Sequence, residues 1–166
     1  MLLAAIDPGA HPAYVLLDLE QAHPRRYFPR AGPLPLVVAA ALAHPDWLSR
    51  AGAVATELQW FRRRRKASPK SILTLAFSAG WQLARACAYG ATPLALDVDA
   101  WRAALGLDPG VPKEVAAARC ARSLLPAETL LFARTGASPK RLADLYDAVM
   151  IGWAAFLQPA EYRSPP

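Results

Sequence analysis

The sequence predicts an α/β domain built on a mixed five-stranded sheet with helices on both faces. Three observations predict it. The chain has 166 residues, of which 54% are hydrophobic and 16 are prolines; that is enough for one domain with a real core, and too apolar for a disordered chain. The chain opens with short apolar runs separated by turns, the pattern of a strand meander. After the meander, helical and extended patterns alternate, which fits strands joined by helices that pack on either face.

The elements follow in order. LLAAI (2–6) is a buried strand closed by the turn Asp7-Pro8-Gly9. AYVLLDL (13–19) is a second strand, and RRYF (25–28) a third in the meander. PLVVAAALAHPDW reads as a helix up to His44, where Pro45 ends it. AGAVATEL (51–58) is the fourth strand, with Glu57 near its C-terminal end, and residues 62–66 form a basic loop. Ser68 caps a helix with Pro69 in its first turn; it runs to Ala88, with Gly90 beyond. PLALDV (93–98) is the fifth strand and residues 111–125 are a helix. Residues 126–136 are a connection whose form the pattern leaves open. Ser138 and Pro139 repeat the cap-and-proline signature and open a last helix to Leu157. Residues 1–158 are expected to form a single domain and 159–166 a loose tail.

Composition narrows the function. No apolar run is long enough to span a bilayer and the start lacks the basic residues of a secretory leader, so a cytoplasmic protein without membrane contact is expected. Cys87 and Cys120 read as small buried residues in a reducing compartment, and the three histidines do not share a metal-ligand spacing with them. The net charge is +6, from 19 basic and 13 acidic residues. Between Glu57 and Asp97 there is no acid but seven basic residues, which leaves 12 basic against 13 acidic elsewhere. A local excess of this kind points to a polyanion, most often nucleic acid. Trp60 and Phe61 stand directly before Arg62, Arg63, Arg64, Arg65 and Lys66, with Lys70 beyond. Rings can stack on opened bases while guanidinium forks grip phosphates. The competing readings are a solvated basic loop and, for Trp60, core packing.

Acids stand at the ends of apolar elements. Asp7 ends the first strand and Glu57 the fourth; Asp144 and Asp147 lie three apart in the last helix, on one face, with β-carbons roughly 5–6 Å apart. Each has an ordinary explanation: a turn aspartate before Pro-Gly, an exposed strand end, acids favoured by the dipole early in a helix. Converging, they would need cations, and hard divalent ions with oxygen ligands serve that purpose near phosphate.

These segments resemble the RuvC family of Holliday-junction resolvases, in the ribonuclease H-like superfamily. The resemblance is carried by AIDPGA, ATELQWF and LADLYDAVMIG, and more weakly by LGLDPGVPKEVAAARCARSLL. It implies a ribonuclease H-like fold in which Asp7, Glu57, Asp144 and Asp147 bind two magnesium ions, with manganese able to substitute, for phosphodiester hydrolysis. It implies that Trp60 wedges into the centre of a branched DNA, and that Lys113 approaches the scissile phosphate. The run of four arginines, residues 30–50 and the segment before the last helix depart from the family pattern. The helix at 69–88 has one charge from Ser71 to Tyr89, Arg85, with Ile72, Leu75, Ala79 and Leu83 on one stripe and Leu73, Phe77, Ala84 and Cys87 on another. A helix apolar nearly all round needs two partners, so a homodimer is expected. The expected activity is resolution of four-way DNA junctions by paired cuts, with no small-molecule cofactor. The alternatives are a less selective nuclease of forks, flaps and three-way branches, and a non-catalytic DNA binder. A two-domain ATPase of the actin type is excluded by length.

Overall fold

The computed structural model describes residues 1–24, 33–58, 68–108 and 110–157. Its centre is β1 (Leu2–Asp7), whose residues alternate between two apolar layers. Leu3 and Ala5 enter one core, Ala4 and Ile6 the other. A strand covered on both faces can be apolar throughout, which is why the run LLAAI shows no polar alternation. β2 (Ala13–Pro24) pairs antiparallel with β1, and β3 (Pro33–Ala41) antiparallel with β2. β4 (Ala53–Leu58) runs parallel to β1, and β5 (Thr92–Asp97) parallel to β4. The sheet order is β3-β2-β1-β4-β5.

Helices cover both faces. α1 (Pro69–Ala88) lies on β4 and β5; Ser68 caps it by accepting a hydrogen bond from the Ser71 backbone N–H at 3.2 Å. α2 (Val98–Ala104) begins where β5 ends, its first turn capped by the Asp97 carboxylate. α3 (Lys113–Ser123) and α4 (Pro126–Arg134) follow. α5 (Pro139–Leu157) crosses the opposite face over β1 and β2. Gly152 makes that crossing close: a β-carbon there would lie 2.8 Å from Ala5 Cβ and closer still to Leu17 Cδ1.

Several expectations are corrected. Residues 35–44 are not a helix; most of them form β3. Its alanines favour a helix, but Pro33 and Pro35 suit an edge strand, where missing N–H groups cost little, and Leu34 and Val37 reach the core. The proposed strand at 25–28 lies outside the described residues. The undecided connection contains α4, and α2 was not anticipated. Cys120 is buried as expected, but Cys87 is exposed on α1. Among the described residues no helix is long and apolar enough to cross a membrane.

Candidate active site

Parallel pairing brings the first two acids together. Ile6 pairs with Thr56, and Thr56 Oγ1 donates to the Ile6 carbonyl at 3.0 Å. Asp7 and Glu57 therefore leave the same edge of adjacent strands. α5 starts beside that edge and turns Asp144 and Asp147 toward it. All four acids line one cleft of about 630 Å³.

The aspartates converge on Lys113, the first residue of α3. Its ammonium lies 2.7 Å from Asp144 Oδ1, 2.9 Å from Asp147 Oδ2 and 3.4 Å from Asp7 Oδ2. Burial works against the lysine charge, but the aspartates outweigh it and hold Lys113 well above the usual lysine range. For Asp7 and Asp147 burial dominates. It raises Asp7 well above the ordinary range; Lys113 pulls the other way, and Glu57, Asp147 and Asp144 add repulsion. Asp147 is pushed up to about 6 for the same leading reason, with Lys113 opposing.

Two further residues orient the acids. The Trp101 indole N–H donates to Glu57 Oε2 at 2.9 Å, from a ring that is itself buried. The Arg102 guanidinium lies 5.6 Å from the centre of that ring and donates to the Val111 carbonyl at 2.7 Å. Arg141 donates to Asp144 Oδ2 at 2.6 Å and to the carbonyls of His11 and Pro12. Sequence reasoning found none of these. The spacing of three between Arg141 and Asp144 was the available signal; nothing local pairs Trp101 with Glu57.

Of the residues expected at the site, Asp7, Glu57, Lys113, Asp144 and Asp147 are brought together. Lys70 is exposed in the first turn of α1 and does not line the cleft. Trp60, Phe61, Arg62, Arg63, Arg64, Arg65 and Lys66 lie outside the described residues. Among the described residues, no three His, Cys, Asp or Glu side chains stand at metal-ligating spacing. Lys113 holds the point on which the aspartates converge. The donor set itself is all carboxylate oxygen, which suits a hard divalent cation. The residues thus fit such an ion in kind, with Lys113 as the charge it would have to displace.

A five-stranded sheet with an antiparallel β3-β2-β1 meander, two parallel strands beyond it and helices on both faces is the ribonuclease H-like fold. Solved structures share it. Thermus thermophilus RuvC superposes with a TM-score of 0.54 at 19% identity, over 94% of each chain. T. thermophilus RuvC in complex with Holliday junction substrate gives 0.55 at 18% identity, again over 94% of each. The likeness to RuvC read from the sequence thus extends to the fold. No protein-family model matches the chain, and no curated protein is significantly similar to it.

Proposed function

We propose that this protein is a metal-dependent endonuclease that resolves four-way DNA junctions by paired cuts in a homodimer, with residues 1–158 as its nuclease domain. The observation that carries the reading is the convergence of Asp7, Asp144 and Asp147 on one point, beside Glu57, in an open cleft. A DNA-binding protein without catalysis gains nothing from four acids facing phosphate. The fold shared with a RuvC solved on a Holliday junction supports the choice of substrate.

Asp7, Glu57, Asp144 and Asp147 would hold two magnesium or manganese ions. When bound, such ions activate water and stabilise charge on the phosphoryl oxygens. The protein's own groups supply the rest. Trp101 fixes the Glu57 carboxylate through its N–H. Lys113, released from the aspartates, faces the same cleft, where its ammonium can neutralise a phosphate oxygen. The segment after β4 carries Trp60 and Phe61 to stack on bases opened at the branch, and Arg62 to Lys66 to grip converging backbones. Lys70, exposed at the start of α1, adds a further positive charge. The outer face of α1 supplies the dimer contact.

A labelled four-way junction and a labelled fork, incubated with and without magnesium, test the reading. Cleavage of the junction only with magnesium is expected, and its abolition by Asp7→Asn with junction binding retained. Absence of metal-dependent cleavage overturns the reading; equal rates on the fork would favour the less selective nuclease.

A further inference from the structure

We propose that Arg141 is a positioning residue that presents Asp144 to the reaction centre through a single oxygen and locks the turn after Asp7 to α5. The inference rests on reading the acids as metal ligands. Arg141 precedes Asp144 by one helical turn, and its guanidinium spans two elements. NH1 donates to Asp144 Oδ2 at 2.6 Å and also to the His11 carbonyl; NH2 donates to the Pro12 carbonyl at 3.0 Å. The two carboxylate oxygens of Asp144 are thereby divided. Oδ2 belongs to Arg141, and Oδ1 faces the centre, where Lys113 now meets it at 2.7 Å. His11 and Pro12 lie in the turn that leaves Asp7, so one planar fork fixes both the rotation of Asp144 and the position of α5 against the β1–β2 turn. Three acceptors at fixed angles suit a guanidinium; a lysine ammonium is a point charge and does not reproduce the fork. The donors engaged in this way are not available to a phosphate. Removing such an outer partner from a ligand typically costs about 10–100-fold in metal affinity or activity.

The test uses the full chain with Arg141→Gln, Arg141→Lys, Asp144→Asn and the double variant Arg141→Gln/Asp144→Asn. Manganese binding is measured on DNA-free protein, junction affinity without metal over a range of salt, and single-turnover cleavage at saturating magnesium. Arg141→Gln should weaken manganese binding and slow cleavage, each by about 10–100-fold, while junction affinity and its salt dependence stay unchanged. Arg141→Lys should recover little of either. In the manganese-binding cycle the double variant should be little worse than Asp144→Asn alone, because the carboxylate that Arg141 presents is gone. A purely structural defect would instead add to the Asp144→Asn loss, so additivity overturns the proposal even if Arg141→Gln is less stable. A loss confined to junction affinity and its salt slope would make Arg141 a phosphate contact and also overturn it. Wild-type protein that binds manganese and cleaves, beside an unaffected Arg141→Gln, overturns this inference alone; wild-type protein that does neither overturns the reading of the site.

Discussion

At the scale of single residues, the cleft is a place where negative charge is gathered at a cost. Four carboxylates face it, and the Lys113 ammonium stands among three of them. Burial, more than the repulsion among them, favours the protonated carboxyl: Asp7 is raised well above its ordinary value, and Asp147 to about 6 against a reference of 3.8. The unfolded chain releases the Asp147 proton near 3.8, the folded chain near 6, so the folded state carries more protons between these values. Stability therefore falls as pH rises through that window, which is the opposite of the usual salt-bridged aspartate. Melting of the metal-free protein in chelator should show a lower midpoint at pH 7 than at pH 5. Asp147→Asn should shrink that fall, and magnesium at pH 7 should offset it. A midpoint that rises equally from pH 5 to pH 7 in both proteins would remove the raised Asp147 from the account. The four acids were legible in the sequence because each stands at the end of an element or on a helix face, where position follows from local pattern; Lys113 was reached only through the family resemblance. Trp101 and Arg141 were not. Their partners are a carboxylate on another strand and two backbone carbonyls of a distant turn, and such pairings exist only after the chain has folded.

At the scale of elements, the sheet is held by two features of opposite kind. One is an absence. Gly152 lets α5 touch β1 and β2, and an added methyl would meet the Ala5 side chain at 2.8 Å, an atom with no rotamer to yield. Gly152→Ala gains up to about 1 kcal/mol of helix propensity but overpacks the core, which typically costs about 1–3 kcal/mol. A net loss of stability is expected in urea denaturation; a more stable variant would show that α5 can lift without penalty. The other feature is the Glu128 carboxylate, fully buried at the start of α4. Oε1 accepts from the Val37 N–H at 2.9 Å and Oε2 from the Leu125 N–H at 2.8 Å, which ties α4 to the edge strand β3. Glu128→Ala strands both donors, at about 1–3 kcal/mol each, and should destabilise the fold more than Glu128→Gln, which keeps one acceptor; equal effects would count against the carboxylate as the tie. This corner is where sequence reading failed. The alanines of β3 pointed to a helix, and its strand character depends on β2 as a partner and on α4 as a cover, neither of which local periodicity can reveal. β1, β4, β5 and α5 were legible because caps, prolines and apolar length mark them without outside help.

At the scale of the whole molecule, α1 carries two apolar stripes, and the monomer uses one. Ile72, Ala79 and Ala86 are buried against the sheet, and Gln82 anchors the same face by donating to the Tyr14 hydroxyl at 2.8 Å. The other stripe faces outward: Leu73 is 61% exposed, Phe77 76% and Trp81 56%, at helical spacings of four. Contiguous large apolar side chains are seldom left to water in a monomer. A second copy related by a two-fold axis would cover the stripe with itself, and two clefts would then face the proposed four-way junction, which also has two-fold symmetry. The structure also decides which substitution tests this. Ala79 is 0% exposed and faces the sheet, so Ala79→Arg would bury a charge in the core and unfold the protein rather than separate two copies. Phe77→Arg places the charge on the outer stripe. It should yield a folded monomer at micromolar concentration by light scattering, with an unchanged melting temperature at high dilution, while the unmodified protein has twice that mass. On a four-way junction the variant should nick strands singly where the proposed dimer would cut in pairs. An unmodified protein that is monomeric at micromolar concentration, or a Phe77→Arg protein that keeps the dimer mass, would remove α1 as the contact.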